Sequence, residues 1–273
     1  MTLPGPATPL GIIAGRGALP RLLADARAAE NLPYIVVGLE GFVDPWIAEH
    51  PHQIVAITAV RKILRAFSDA DCTHVTLAGG VDRPVINPLK LDGKALSWLP
   101  KLLPALRRGD DALLRTVRQL LEAEGLTLIG ADEVVPMTSA ESIPTQVKPT
   151  SVNTNDVEKA ETLLAALAPH DVGQGVVVNR GLVLGVETLF GTDAMLMSIQ
   201  NTRKDRGGVL VKRLKVGQDR DIDMPAIGPN TIVSAQNAGL DGIAIEAGGV
   251  LILDRDATIA AADEAGIFLW IKP

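Results

Sequence analysis

The densest chemistry in the chain lies in "GQDRDIDMPAIGPNTI", residues 217 to 232, where Asp219, Asp221 and Asp223 alternate. Successive side chains of an extended segment point to opposite sides, so these three carboxylates project to one face. Like charges on one face repel unless water or a cation intervenes, and an oxygen donor set suits Mg2+ or Mn2+. "GPNT" follows directly, with Gly228 and Pro229 opening a helix and Asn230 and Thr231 read as its caps. The unpaired N–H groups of such a first turn favour an anion. An acidic, solvated loop is the plainer alternative, and the helix start beside it tips the reading toward a metal and phosphate site.

Two stretches upstream could join that chemistry. "GVETLFGTDAML" places Glu187 at a strand end and Gly191, Thr192 and Asp193 at a helix start, with Asp193 or Thr192 most simply the N-cap. "GGVLVK" ends a strand at Lys212, a cation able to neutralise phosphate charge. Near the N-terminus, "LGIIAGRGALP" runs from an apolar strand into Gly15, Arg16 and Gly17, and "AGGVDRP" supplies a second glycine turn with Gly79 and Arg83. A dinucleotide fingerprint needs a third glycine where this chain has Pro20. What remains is a turn and helix N-terminus suited to phosphate or pyrophosphate, against the simpler reading of a tight strand-to-helix turn. Both turns are expected at the carboxyl ends of parallel strands, where ligands bind in such sheets.

Other chemistries find little support. The four histidines include one close pair, His50 and His52 in "EHPHQ", which reads as a surface pair rather than a metal site. No Ser-His-Asp or Cys-His arrangement can be argued. The single cysteine, Cys72, excludes an intramolecular disulfide and reads as a small buried hydrophobe suited to a reducing cytoplasm. A net charge of −6 and a pI near 5.3 argue against a nucleic-acid partner. No signal peptide is visible, and no apolar run approaches the roughly 20 residues that span a bilayer, so a soluble or at most peripheral protein is expected.

The elements that must position these residues follow from hydrophobic pattern. Hydrophobic residues make up 47% of the chain against 21% charged and 3% aromatic, so the core must be aliphatic. "LGIIA", "YIVVGL", "QIVAI", "HVTLAGG" and "LTLIG" read as buried parallel strands, and the stretches after Pro20, Ala59 and Asp110 as amphipathic helices. Residues 134 to 156, rich in Pro, Ser and Thr, read as an interdomain linker or a long ordered connection. Beyond it come a helix with Asp156 in its first turn, a hairpin turned at "NRG" (179–181), and further alternating helices and strands. The parse is an α/β fold of two α/β domains: an N-terminal Rossmann-like parallel sheet over 1–135, a linker over 136–155, and a C-terminal mixed-sheet domain over 156–273.

Taken in order, "LGIIAGRGALP", "LLPALRRGDDALLRTV", "GVETLFGTDAML", "GGVLVK" and "QDRDIDMPAIGPNTI" resemble the LpxI-type UDP-2,3-diacylglucosamine pyrophosphatases of lipid A biosynthesis, over nearly the whole chain. The resemblance implies two α/β domains joined by a linker, with the substrate held between them. It implies a Mg2+-dependent hydrolase (Mn2+ also serving) that releases UMP and 2,3-diacylglucosamine 1-phosphate, with water directed at the sugar-side phosphorus. Carried over by motif, Asp223 is the expected metal ligand or general base, Asp219 a supporting ligand and Lys212 an electrostatic stabiliser. Gly15, Arg16, Gly17, Gly79, Arg83, Glu187, Gly191, Thr192, Asp193, Gly228, Asn230 and Thr231 are the expected substrate contacts. Arg16 stands where a small residue is usual and Asn230 where an Asp is. A diacylated substrate implies contact with a membrane surface from the cytoplasmic side, and a homo-oligomer is compatible with all of this. Two other readings stay open: a nucleotide-cofactor oxidoreductase using the first glycine turn, and a non-catalytic two-domain binder of anionic small molecules.

Overall fold

Five β-branched runs near the N-terminus assemble into one sheet. Strands β1 (Leu10–Ala14), β2 (Tyr34–Leu39), β3 (His52–Val55), β4 (His74–Ala78) and β5 (Thr127–Leu128) lie in the order β3-β2-β1-β4-β5, every neighbouring pair parallel. Parallel neighbours require crossovers, supplied by helices α1 (Ala18–Ala29), α2 (Val60–Asp69), α3 (Gly93–Leu106) and α4 (Asp110–Glu122). The computed structural model describes residues 8–81, 91–107, 109–135, 140–170, 172–203, 205–214 and 224–273. The chain divides into two units, one built on this sheet and one on the sheet that follows.

The amphipathic helices bury the faces their spacing marks. On α2, Val60, Ile63, Ala66 and Phe67 are buried, and they join Val37, Val75 and Leu128 of the sheet in one cluster with Ala95 and Trp98 of α3. Helix α3 carries Pro100 and Pro104, and no helix was expected there from the sequence. Its first turn is secured by Asp92, whose carboxylate accepts from Lys94 N at 3.0 Å and Ala95 N at 2.8 Å. The same carboxylate accepts from Arg61 N at 2.7 Å, so one side chain ties the starts of α2 and α3. Burial of Ala95, Trp98 and Ala105 then holds the helix despite two missing backbone donors.

The second unit is a mixed sheet. Its strands β6 (Gly175–Asn179), β7 (Leu182–Val186), β8 (Val209–Lys212), β10 (Gly242–Glu246) and β12 (Phe268–Lys272) lie in the order β12-β10-β8-β6-β7. The first three in that order run parallel, while β6 is antiparallel to both β8 and β7. A short parallel pair, β9 (Ala226–Ile227) with β11 (Leu251–Ile252), stands apart. Helix α5 (Ser151–Leu167) covers one face, its Val157, Ala160 and Leu164 packing on Val209, Val211, Ala244 and Phe268. Helices α6 (Gly191–Thr202), α7 (Pro229–Asn237) and α8 (Arg255–Ala265) cover the other, against Leu210, Ile243, Ile245 and Leu269. The period of two along β8 therefore sends Lys212 toward α6 and α7 and the next residue, Arg213, toward α5.

Two sequence expectations are refined here. Residues 136–155 were set apart as a linker or a long ordered connection, and residues 142–155 are ordered within the second unit. Ser142 exchanges both backbone hydrogen bonds with Ile271, at 3.0 and 2.8 Å, and the buried Thr145 hydroxyl accepts from Leu269 N at 3.0 Å. They pair with β12, the edge strand, whose open backbone groups would otherwise lack partners. The following helix begins at Ser151, five residues before Asp156, because Thr150 and Asn153 form a reciprocal cap. Asp156 is consequently a buried residue of the second turn, where it accepts from Arg180 N at 2.8 Å and Gly181 N at 2.7 Å. Both residues have positive φ, 50° and 76°, as a two-residue hairpin turn of this hand requires. Lys159 adds a bond to the Gly181 carbonyl.

Candidate active site

Lys212 ends β8 with 6% of its surface exposed. Its Nζ donates to Thr192 Oγ1 at 2.8 Å and to the Ala226 carbonyl at 3.4 Å, and lies 3.9 Å from Glu187 Oε2. Three elements thus meet on one amino group: the end of the β6–β7 hairpin, the first turn of α6, and the strand that leads into α7. A lysine taken this far out of water must be compensated, and the three oxygens supply that.

Thr192 or Asp193 was expected as the helix cap, but Gly191 opens α6 and Phe190 holds the N-cap position with no side-chain bond to the first turn. The Thr192 hydroxyl is committed to Lys212 instead, and Asp193 is an exposed residue of the first turn. At α7 the cap residue is Gly228, whose N–H donates to Thr231 Oγ1 at 3.2 Å, while Asn230 is exposed. Neither helix start carries a side-chain acceptor for its leading N–H groups. Two N-terminal dipole ends and a buried ammonium are brought together through Thr192 and Ala226, which is an arrangement for an anion with several oxygens, such as a phosphate.

Glu187 partly offsets that positive charge. Its Oε2 is buried and has no hydrogen-bond partner, and it lies so close over the β6 backbone that a Cβ at Gly175 would be 2.6 Å away. The donor set among the described residues is this one carboxylate beside an ammonium, and no group of three His, Cys, Asp or Glu is placed to hold a metal ion among them. The described residues alone do not fit a divalent cation. Asp219 and Asp223, on which that expectation rests, lie outside the described residues, as do Asp221 and Arg83. Leu214 and Met224, which flank the acidic segment, are described: one follows β8 and Lys212, the other precedes β9.

In the first unit the two glycine turns meet at the β1–β4 switch point, where strand order reverses. Arg16 and Gly80 exchange backbone hydrogen bonds at 2.9 Å each, and Gly15 N donates to the Ala78 carbonyl at 2.8 Å. The approach explains the glycines: a Cβ at Gly15 would stand 2.5 Å from the Gly80 oxygen, and one at Gly79, where φ is +86°, 2.5 Å from the Arg16 oxygen. Gly17 N points at Asp44 Oδ2, 3.4 Å away, and the Arg16 guanidinium lies 5.0 Å over the Phe42 ring. The N–H groups of Gly15, Arg16 and Gly17 therefore already face protein oxygens. Nothing in this turn favours the oxidoreductase reading.

His50 is not on the surface. It is buried, with Tyr34 OH 2.7 Å from Nδ1, Asp25 3.3 Å from Nε2, and Trp46 edge-on at 5.6 Å. Burial, with Asp25 adding to it, pushes the Tyr34 phenol above its usual range. Its partner His52 is exposed at the start of β3. Cys72 is a buried thiol whose pKa burial pushes up to about 11, which suits an inert core residue. The sequence reading missed two features near Lys212. The Ala226 carbonyl is a backbone group and carries no signal in residue type. The apolar pair Leu189 and Phe190, 74% and 81% exposed just before α6, was legible as two large hydrophobics between a strand end and a helix start.

Comparison with known proteins places the chain. The profile of the LpxI N-terminal domain matches residues 9–138, and that of the LpxI C-terminal domain matches residues 140–270. A UDP-2,3-diacylglucosamine pyrophosphatase, LpxI, from Caulobacter vibrioides is 42% identical over 268 residues, covering 95% of this chain and 96% of its own. Solved structures align weakly. A putative NAD-dependent epimerase/dehydratase from Methylobacillus flagellatus gives 15% identity and a TM-score of 0.26 over 59% of this chain and 51% of that one. Glycinamide-RNase-transformylase T from Mycobacterium tuberculosis gives 16% and 0.23 over 66% and 43%. Scores this low carry no argument. Two profile matches that together span nearly every residue, and a relative similar along its full length, establish that this chain belongs to the LpxI family.

Proposed function

We propose that the chain hydrolyses the pyrophosphate of UDP-2,3-diacylglucosamine, a step of lipid A biosynthesis, to UMP and 2,3-diacylglucosamine 1-phosphate. One observation carries the reading: a buried lysine held by Thr192 in the first turn of α6 and by the Ala226 carbonyl in the strand that leads into α7. The full-length similarity to a pyrophosphatase with that substrate supports it. Water oxygen attacks one phosphorus, the bond to the bridging oxygen breaks, and the departing phosphate takes up the negative charge. Little covalent chemistry is asked of the protein beyond positioning and charge stabilisation. Lys212 and the first-turn N–H groups near Gly191, Thr192, Asp193, Gly228, Asn230 and Thr231 hold phosphate oxygens. Glu187, 3.9 Å from Lys212, partly balances its charge. Asp223 takes the proton of the attacking water, with Asp219 as a supporting ligand.

The proposal includes a divalent cation, Mg2+ or Mn2+, at Asp219 and Asp223, the pair whose donor chemistry suits it; when bound it supplies charge neutralisation at the pyrophosphate. Gly15, Arg16, Gly17, Gly79 and Arg83, in the glycine turns, are proposed as further substrate-binding residues. No described helix is long and apolar enough to cross a membrane. The chain is proposed to meet the membrane surface that carries its acylated substrate from the cytoplasmic side, with Leu189 and Phe190 as contacts.

The test is UMP release from UDP-2,3-diacylglucosamine by the purified chain, in wild type and Asp223→Ala. Release in the first and its loss in a folded second are expected; absence of release from wild type overturns the function. Mn2+ binding followed by electron paramagnetic resonance should weaken in Asp219→Ala and Asp223→Ala. Unchanged binding, or full activity in excess chelator, overturns the metal assignment.

A further inference from the structure

A second charged cluster stands at the same strand ends, on the opposite face of the sheet from Lys212. Glu246 ends β10, and its Oε2 accepts from Leu214 N at 2.9 Å while Oε1 lies 3.3 Å from an Arg213 guanidinium nitrogen. Arg213 also lies 3.7 Å from Glu161 of α5, which binds Lys272 Nζ at 2.7 Å. The ladder between β8 and β10 stops at Lys212 opposite Ile245. Arg213 N still finds the Gln174 carbonyl at 3.0 Å, but Leu214 N takes a side chain, the carboxylate of Glu246, in place of a strand neighbour.

The turn after β10 is shaped around that carboxylate. Gly249 N donates to the Glu246 carbonyl at 3.1 Å, and a Cβ at Gly249 would stand 2.4 Å from Glu246 Oε2. Any side chain there displaces the oxygen that holds Leu214. Leu214 is the residue from which the chain enters the segment carrying Asp219 and Asp223.

We propose that Glu246 is a positioning residue for the hydrolysis: accommodated by Gly249, it fixes the exit of β8 and so the point from which the acidic segment departs beside Lys212. This rests on the role given to that segment under the proposed function. Nothing about Glu246 requires it to touch substrate. Its effect runs through the Leu214 amide, and that amide can be watched directly.

The experiment uses the full chain and three variants, Glu246→Ala, Glu246→Gln and Gly249→Ala. Amide hydrogen exchange at Leu214 is read by NMR, and kcat and KM are read with UDP-2,3-diacylglucosamine. A bond from a backbone N–H to a carboxylate sets the scale, so loss of Glu246 should speed exchange at Leu214 roughly 10- to 100-fold. In Glu246→Ala, kcat should fall by a similar factor with KM within about threefold. Glu246→Gln, which keeps an oxygen acceptor, should fall between the two. Gly249→Ala, which displaces the carboxylate without removing it, should repeat the pattern and serves if the alanine variant does not fold. Unchanged Leu214 exchange in Glu246→Ala overturns the anchor, and unchanged kcat with faster exchange overturns its catalytic consequence. If wild type releases no UMP, the functional reading falls, and the anchor stands or falls on the exchange data alone.

Discussion

Replacing Lys212 by methionine removes a charge while keeping most of the volume, and it should have two separable effects. The first is on stability. Lys212 Nζ and Glu187 Oε2 are 3.9 Å apart, which corresponds to about 4 kcal/mol of Coulomb attraction at an effective dielectric of 20. Desolvation of both groups offsets part of that. Removing one partner nevertheless leaves Glu187 Oε2, already without a hydrogen-bond partner, with no counter-charge in that group of contacts. Broken buried pairs cost about 3–5 kcal/mol, and a pair not in direct contact should lie near the lower figure. The second effect is on catalysis, where a lost charge-assisted contact to phosphate is worth about 1.5–3 kcal/mol, roughly 10- to 150-fold in kcat/KM. The double variant Lys212→Met, Glu187→Gln separates the two, because it removes the stranded charge along with its cause. Urea unfolding should show most of the lost stability returning, while UMP release per folded molecule stays low. If Lys212→Met alone keeps kcat/KM within about threefold of wild type, or if the double variant recovers activity along with stability, the reasoning about this site is wrong.

Asp156→Ala should cost the second unit about 3 kcal/mol in urea unfolding, since two N–H donors at positive φ lose a buried, charged acceptor; Asp156→Asn, which keeps one acceptor, should lose about half as much, and equal losses would show that packing rather than hydrogen bonding is at stake. The Cys72 thiol, raised from 9.0 to about 11, is ionised more readily in the unfolded chain than in the folded one. Its contribution to stability is present below about pH 9 and lost as pH rises toward about 11; denaturation of Cys72→Ala should show a flatter dependence over that window, and an identical curve counts against the argument. Leu189→Ser with Phe190→Ser should reduce co-sedimentation with anionic lipid vesicles while UMP release from detergent-dispersed substrate persists; unchanged sedimentation removes these residues from the membrane contact.

The strands were legible because aliphatic, β-branched runs bounded by glycine leave few alternatives, and the hairpin at Arg180 and Gly181 because two residues at positive φ need a recognisable turn. Helix α3 was hidden by Pro100 and Pro104, whose local cost is overridden by the burial of Trp98 and the shared cap of Asp92. The start of α5 was misplaced because Thr150 and Asn153 look like loop residues until seen as reciprocal caps. His50 looked superficial in a proline-flanked loop, and is buried by Tyr34 of β2 and by Trp46, which a short 3-10 turn over Pro45–Glu49 brings against it. At the candidate site, residue types alone singled out Lys212, Glu187 and Thr192. That a threonine at a helix start would serve a lysine twenty residues away could not be read from spacing, because the partner is set by strand order. The glycines at 15 and 79 were noticed as a phosphate cradle; that their bare Cα atoms also let two backbones touch depends on strand order and could not be read from spacing.

That contact between the backbones of Arg16 and Gly80 has a mechanical consequence. Two loops at neighbouring strand ends are commonly free to respond one at a time, but these share a pair of hydrogen bonds with no side chain between them. A force applied at Gly17 and the entry of α1 is delivered to Gly80 and Val81, the root of the next loop, without loss through flexible rotamers. The two strand ends are therefore tied to each other, and shifting one alone means breaking that pair of bonds.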